Sequence, residues 1–375
     1  METDGKNAPD SPVQAVATIG RIAGFDIARS FALLGMIVVH FSLVMAADHS
    51  SPGWMVTILG FLDGRAAATF VILAGVGLTL RSQRATAHTN PKALAEVRWT
   101  LIRRGLFLLV VGFLNLRIWQ GDILRVYGIS LLLAARLLNA SNRRLLFGAL
   151  AYALGFVILF VLFDYEKNWN WSTLTYRRLW TPSGSFRNLF YDGFRSIVPW
   201  TGFVYFGMWL GRLDLRNIMV NNRVLLSSIG VALFAEGTSR LCVWYLLAHP
   251  HGMDAETIKA LSGTESMPPL PLFLLAGGGT AVAVIALSVR LAARWPTRLW
   301  RPLIDTGQMA FTWYFGHIIL GLGTVEALGL VSTQSLPRAA GCGVLFFALA
   351  ILLSWLWKKI FRHGPLEWVM RKVAG

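Results

Sequence analysis

Charge is scarce in this sequence. Only 14% of its 375 residues are Asp, Glu, Lys or Arg, where a soluble domain carries about 25%. That shortage excludes an ordinary water-soluble fold. Cysteine is scarcer still, with Cys242 and Cys342 alone, both inside apolar runs. A disulfide framework is therefore excluded, and the two thiols read as small buried hydrophobes. Neither CxxC nor HExxH occurs, so no metal site is expected. Alternating polar and apolar residues are also missing, which argues against a β-barrel.

What remains is apolar. Hydrophobic residues make up 55% of the chain and the mean hydropathy is +0.55. Long apolar runs recur, as in a polytopic helical membrane protein. Ten spans are expected, roughly at 22–46, 56–80, 99–115, 122–138, 144–163, 196–211, 224–247, 269–293, 307–331 and 340–357. The net charge of +16 and pI of about 10.6 would suggest nucleic acid in a soluble chain. Here the basic residues sit in short gaps between apolar runs, so topology explains them and no nucleic acid is expected.

Alternate gaps hold 21 Lys and Arg, and the opposite set holds 9. The richer set is cytoplasmic by the positive-inside rule, and an even number of spans puts both termini there. Residues 1–20 read as a flexible cytoplasmic tail, 21–361 as one transmembrane helical domain, and 362–375 as a cytoplasmic tail. Val44-Met45-Ala46 resembles a leader-cleavage site, but the preceding apolar run is too long and too charged at its start for a signal peptide. Two outer loops are long. Loop 164–195 is crowded with aromatic residues and reads either as an interfacial belt or helix, or as a lid over an outward-facing site. Loop 248–268 is weakly acidic and ends in Met267-Pro268-Pro269.

The polar residues inside the spans are the functional candidates, because a charge at membrane depth is costly. Asp26, Arg29 and His40 lie at near-whole helical turns on the first span, hence on one face. A polar turn containing Asp48 and His49 follows. Asp63 and Arg65 open a small-residue helix rich in Ala and Gly, suited to close packing. Asp122 and Arg125 open the fourth span, Glu236 and Arg240 are spaced to pair on the seventh, and His317 lies within the ninth. The gap 81–104, with Arg81, Arg84, Lys92, Arg98, Arg103 and Arg104, is the strongest basic patch, either plain topology and lipid contact or a dock for nucleotide phosphates. A histidine beside a carboxylate suits general-base or acyl-carrier chemistry. A lone one is as readily a hydrogen-bonded interior residue.

Several stretches carry a family resemblance. They are RIAGFDIARSFALLGMIVVHF at 21–41, DGRAAATFVILAGVGL at 63–78, GDILRVYGIS at 121–130, FRSIVPWTGFVYFGMWLGR at 194–212, TGQMAFTWYFGHI at 306–318 and GPLEWVMRK at 364–372. The chain resembles the YeiB-like membrane proteins, the family called domain of unknown function 418. That family is related to the catalytic region of heparan-alpha-glucosaminide N-acetyltransferase. His40 stands where those relatives usually have Asn. The resemblance implies a transmembrane acyltransferase in the cell inner membrane. It would move an acetyl or short acyl group from cytoplasmic acetyl-CoA, or a related acyl-CoA, to an outer sugar or envelope acceptor. Catalytic roles then fall to His49, Asp63 and His40. Asp26, Arg29, Arg98, Arg103 and Arg104 would hold the acyl-CoA, and Trp54, Arg65 and His317 the acceptor. Membrane lipids are the expected surroundings, and a homodimer is left open. The alternative is a transporter or exporter of a small polar solute, since polar groups at membrane depth also suit a translocation path.

Overall fold

The computed structural model describes residues 21–47, 53–87, 91–171, 173, 175–250 and 252–375. The expected tail 1–20 and the turn holding Asp48 and His49 lie outside them. The described chain is almost entirely helical, and each of the ten expected stretches falls on a helix or a broken helix. Six are long and apolar enough to cross a membrane: Ala23–Met45, Gly53–Ala85, Asn142–Leu162, Ile218–Ala248, Pro271–Arg294 and Leu336–Ile360.

Helix α1 (Ala23–Met45) is central. It packs against α3 (Arg65–Ala87), α11 (Pro271–Arg294), α12 (Thr297–Gln308) and α15 (Leu336–Ile360). Its last carbonyls would be orphaned at a helix end. Residues 332–334 satisfy them: Ser332 N–H donates to Val44 O at 2.9 Å and Gln334 N–H to Met45 O at 2.9 Å. The remaining helices build outward. Helix α8 (Ile197–Leu210) joins α3 to α6 (Asn142–Leu162), α5 (Leu124–Arg136) packs on α4 (Pro91–Asn115), and α9 (Ile218–Ala248) covers α11 and carries the short α10 (Ala255–Ser262). The apolar windows of α1 and α11 are each 56% buried, against 11% for α6. The first two therefore form the interior, and α6 offers its apolar surface to lipid.

Two spans are broken, and the breaks shape the interior. The second divides at Asp63-Gly64 into α2 (Gly53–Leu62) and α3, with Gly64 at φ +71°. That left-handed conformation favours glycine, and a Cβ there would run into the Phe273 ring. The ninth divides into α12, α13 (Ala310–Gly316), a π-helical turn His317–Leu322 and α14 (Gly323–Ala327). Glycine also allows α3 and α8 to touch backbone to backbone. A Cβ on Gly75 would overlap Val204 O, and one on Gly207 would overlap Ile72 O. Gly207→Val should therefore force the two helices apart. Overpacking of this kind costs about 1–3 kcal/mol or more, so thermal unfolding of the purified variant should begin several degrees below wild type.

Several of the basic gaps meet at one end of the bundle. There Arg212 donates to Ala140 O at 2.6 Å, Arg290 to Asn222 Oδ1 at 2.6 Å and Arg98 to Ala135 O at 3.1 Å. The described residues of loop 164–195 lie at the opposite, loop end. They build a two-stranded antiparallel hairpin, Trp169–Asn170 with Thr175–Tyr176, then α7 (Pro182–Arg187) and a π-helical turn Asn188–Asp192. The knot of this cap is the buried carboxylate of Asp192. It accepts the Tyr176 hydroxyl at 2.7 Å and Arg187 Nε at 2.5 Å. Burial raises the Asp192 pKa, and these two donors pull it back. Tyr176 N–H donates to Gln120 Oε1 at 3.1 Å, tying the cap to the α4–α5 turn.

Candidate functional site

The stripe on α1 begins with a shared carboxylate. Asp26 is buried, and it accepts Arg29 Nη1 at 2.6 Å and Arg21 Nε at 2.6 Å. A buried carboxylate needs such partners. Two guanidinium groups against one carboxylate leave a net positive charge at the basic end. His40 lies eleven residues after Arg29, about 16 Å along a helix. Its Nδ1 is 2.9 Å from Nε2 of His317, which is fully buried in the π-helical turn. The His40 ring also packs 4.8 Å from Trp119.

Arg29 and His40 line one cavity of about 320 Å³, within the usual size of a small-molecule site. Tyr127 and Tyr314 lie along it, Asp63 and Arg195 close its loop end, and most of the remaining wall is apolar, with Met36, Phe70, Leu108 and Phe311 among the lining residues. Asp63 emerges where the second span breaks. Its Oδ2 accepts the Ser266 hydroxyl at 2.6 Å, and Arg195 Nη2 is 3.6 Å from its Oδ1. Arg195 also lies over the Trp200 ring at 4.9 Å. On the neighbouring loop, burial and then the Asp63 carboxylate raise the Glu265 pKa.

Behind Tyr314 lies a buried polar network. Its hydroxyl donates to Asp122 Oδ1 at 3.1 Å, and Asn115 Nδ2 donates to the same oxygen at 2.9 Å. Arg125 Nε is 3.6 Å from Asp122 Oδ2, and Arg125 Nη2 donates to Asn188 Oδ1 at 3.1 Å. At the basic end, α16 (Pro365–Ala374) closes the cavity with Met370. Glu367 fixes this helix by accepting the Phe311 and Thr312 N–H groups at 2.8 and 3.0 Å. Burial raises the Glu367 pKa, opposed by these donors.

Other expected site residues lie elsewhere. Arg65 does not line the cavity; it donates to Phe61 O at 2.7 Å and pairs with Glu236 of α9. Glu236 was expected to pair along its own helix with Arg240, and instead locks the α2–α3 break. Trp54 is exposed at the start of α2. Arg98 holds the end of α5 through Ala135 O, Arg103 lies 5.4 Å from the Trp99 ring, and Arg104 donates to Gly375 O at 2.5 Å. None of these three lines the cavity. A second cavity of about 310 Å³ at the basic end is lined by Arg81, Arg84, Glu96 and Thr100. His49 falls outside the described residues. Tyr127, Arg195 and Tyr314 were missed in the sequence. All three sit within family-like stretches, Tyr127 in GDILRVYGIS, Arg195 in FRSIVPW and Tyr314 in TWYFGHI, which was the available signal.

Fold and site together define a multi-pass helical membrane protein, built around a cavity that carries charge at both ends and a histidine pair between. The chain belongs to the family described as heparan-alpha-glucosaminide N-acetyltransferase, catalytic, which matches residues 21–250. Residues 231–375 match a second family, the protein of unknown function DUF418. Curated relatives extend over nearly the whole chain. An uncharacterized 39.9 kDa protein from the amylase 3′ region of Bacillus acidopullulyticus is 25% identical, covering 96% of this chain and 95% of its own. The uncharacterized protein YeiB of Escherichia coli (strain K12) is 25% identical over 93% of this chain and 95% of its own. YxaH of Bacillus subtilis (strain 168), also uncharacterized, is 24% identical over 97% and 96%. No solved structure matches.

Proposed function

We propose that this protein is a transmembrane acyltransferase. It takes an acetyl or other short acyl group from a cytoplasmic acyl-CoA and passes it to a sugar or other envelope acceptor at the outer face of the cell membrane. The observation that carries this reading is the continuous cavity lined by Arg29 at the basic end and by Asp63 and Arg195 at the loop end, in a chain of the acetyltransferase family. The excess of Lys and Arg assigns the basic end to the cytoplasm. The donor's phosphates suit the guanidinium groups there, Arg29 foremost, with Arg81 and Arg84 lining the second cavity at that end. The largely apolar wall suits the donor's uncharged arm. The acceptor's hydroxyl or amine then meets the thioester near the loop end, and His49, nine residues after His40 in the sequence, is a further group able to carry or receive the acyl.

The test is binding of labelled acetyl-CoA to the purified protein, followed by transfer or hydrolysis in proteoliposomes. Saturable binding and acyl-CoA turnover, reduced in His49→Ala, are expected. A wild-type protein that neither binds nor turns over any acyl-CoA, yet moves a polar solute across the liposome membrane, would overturn the reading in favour of a transporter.

A further inference from the structure

We infer that His40, oriented by His317, is the proton-accepting group of the cavity, an assignment that rests on the acyltransferase reading above. The geometry fixes where the protons sit. His317 Nδ1 is 3.1 Å from the backbone oxygen of Trp313, and a carbonyl can only accept, so that nitrogen carries a hydrogen. In the neutral ring, His317 Nε2 is then a bare lone pair. His40 Nδ1, 2.9 Å away, must donate to it. The tautomer of His40 follows: Nδ1 is protonated, and Nε2, on a ring that lines the cavity, is the free base.

The ring is also held in place. Trp119 packs on it at 4.8 Å and the His317 ring at 5.1 Å. A flipped His40 ring would present a C–H to the His317 lone pair and lose the bond. His317 is itself anchored as the first residue of a π-helical turn, a distortion often found at functional sites. The arrangement has the logic of a catalytic triad, in which a second group sets the base's tautomer and direction. Here a backbone carbonyl and a neutral imidazole replace the carboxylate, and His317 is a positioning residue.

The step balances without any further reactant. The acceptor's O–H or N–H attacks the thioester carbonyl carbon, and its proton passes to His40 Nε2. The carbon–sulfur bond breaks, and the leaving thiolate takes that proton back. Both imidazoles end as they began. The other titratable groups facing the same space are Arg29, Asp63, Tyr127, Arg195 and Tyr314.

Acyl-CoA binding and turnover in His40→Gln, His317→Leu and His317→Gln test the assignment, with rates followed across pH. His40→Gln should bind acetyl-CoA as wild type does, turn it over about 10²–10⁴-fold more slowly, and lose the low-pH limb of the wild-type rate profile. His317→Leu should lower kcat about a hundredfold through misorientation with KM for acetyl-CoA unchanged. His317→Gln, whose amide oxygen can accept the Nδ1 hydrogen, should recover part of that loss. If wild type turns over acetyl-CoA and His40→Gln is equally fast with the same pH profile, the assignment is overturned while the acyltransferase reading stands. Equal losses in the two His317 variants, each with a lowered melting temperature, would also overturn it, since packing alone would then explain them. A wild type inert toward every acyl-CoA removes the reading first, and the assignment with it.

Discussion

Asp122→Leu is expected to lower the melting temperature of the purified protein by about 5–15 °C. Asp122 is fully buried, and Arg125 beside it is 2% exposed. The carboxylate holds Asn115, Tyr314 and the Arg125 backbone N–H, the last at 3.1 Å. Removing it leaves a guanidinium uncompensated in the bundle interior, which typically costs about 3–5 kcal/mol. Arg125 has little spare bonding to fall back on, since its Nη1 already lacks a hydrogen-bond partner. The double variant Asp122→Leu/Arg125→Leu removes the stranded charge as well. It should recover much of the loss, because an ion pair replaced whole by apolar residues is often nearly neutral. A double variant less stable than Asp122→Leu would show that Arg125 is held by its Asn188 bond rather than by Asp122. Tyr314 links this network to the cavity wall. Asp122→Leu should therefore also loosen the site, seen as weaker acetyl-CoA binding even at temperatures where the protein remains folded.

The sequence disclosed whatever lay on one helix or in one local break. Asp26, Arg29 and His40 were legible as a stripe because their spacing follows the helical period, and Asp63 stood out as a carboxylate at the end of a span. The partnerships were not legible. His40 and His317 are 277 positions apart, and Arg65 and Glu236 are 171 apart. Nothing local tells an isolated histidine from one half of a pair. Glu236 was drawn to Arg240 by helical spacing, but an exposed pair on a helix gains only about 0.2–0.5 kcal/mol. A buried Arg65 that would otherwise be uncompensated has far more to gain from the carboxylate. In the aromatic loop the composition was legible, while the buried Asp192 carboxylate that gathers Tyr176 and Arg187 was not.

The basic patch shows the same limit and leads to the second large effect. Arg98 and Arg104 are close in sequence and positively charged, yet each donates to a carbonyl at a helix end, Ala135 O and Gly375 O. Arg29 reaches the cavity instead, and it shares Asp26 with Arg21. A ligand phosphate at that end would meet a guanidinium only partly neutralised by its carboxylate. A charge-assisted hydrogen bond is worth about 1.5–3 kcal/mol, so Arg29→Gln should weaken acetyl-CoA binding about 10- to 150-fold. Arg29→Lys keeps the charge but loses the planar fork, and should fall between the two. Equilibrium binding of labelled acetyl-CoA measures all three. The loss should shrink as ionic strength rises, because part of the attraction is screened. Arg98→Gln removes one helix-end bond outside the cavity and should leave the affinity within about twofold of wild type. If Arg98→Gln loses as much affinity as Arg29→Gln, the phosphates dock on the basic surface, and Arg29 serves only to balance Asp26.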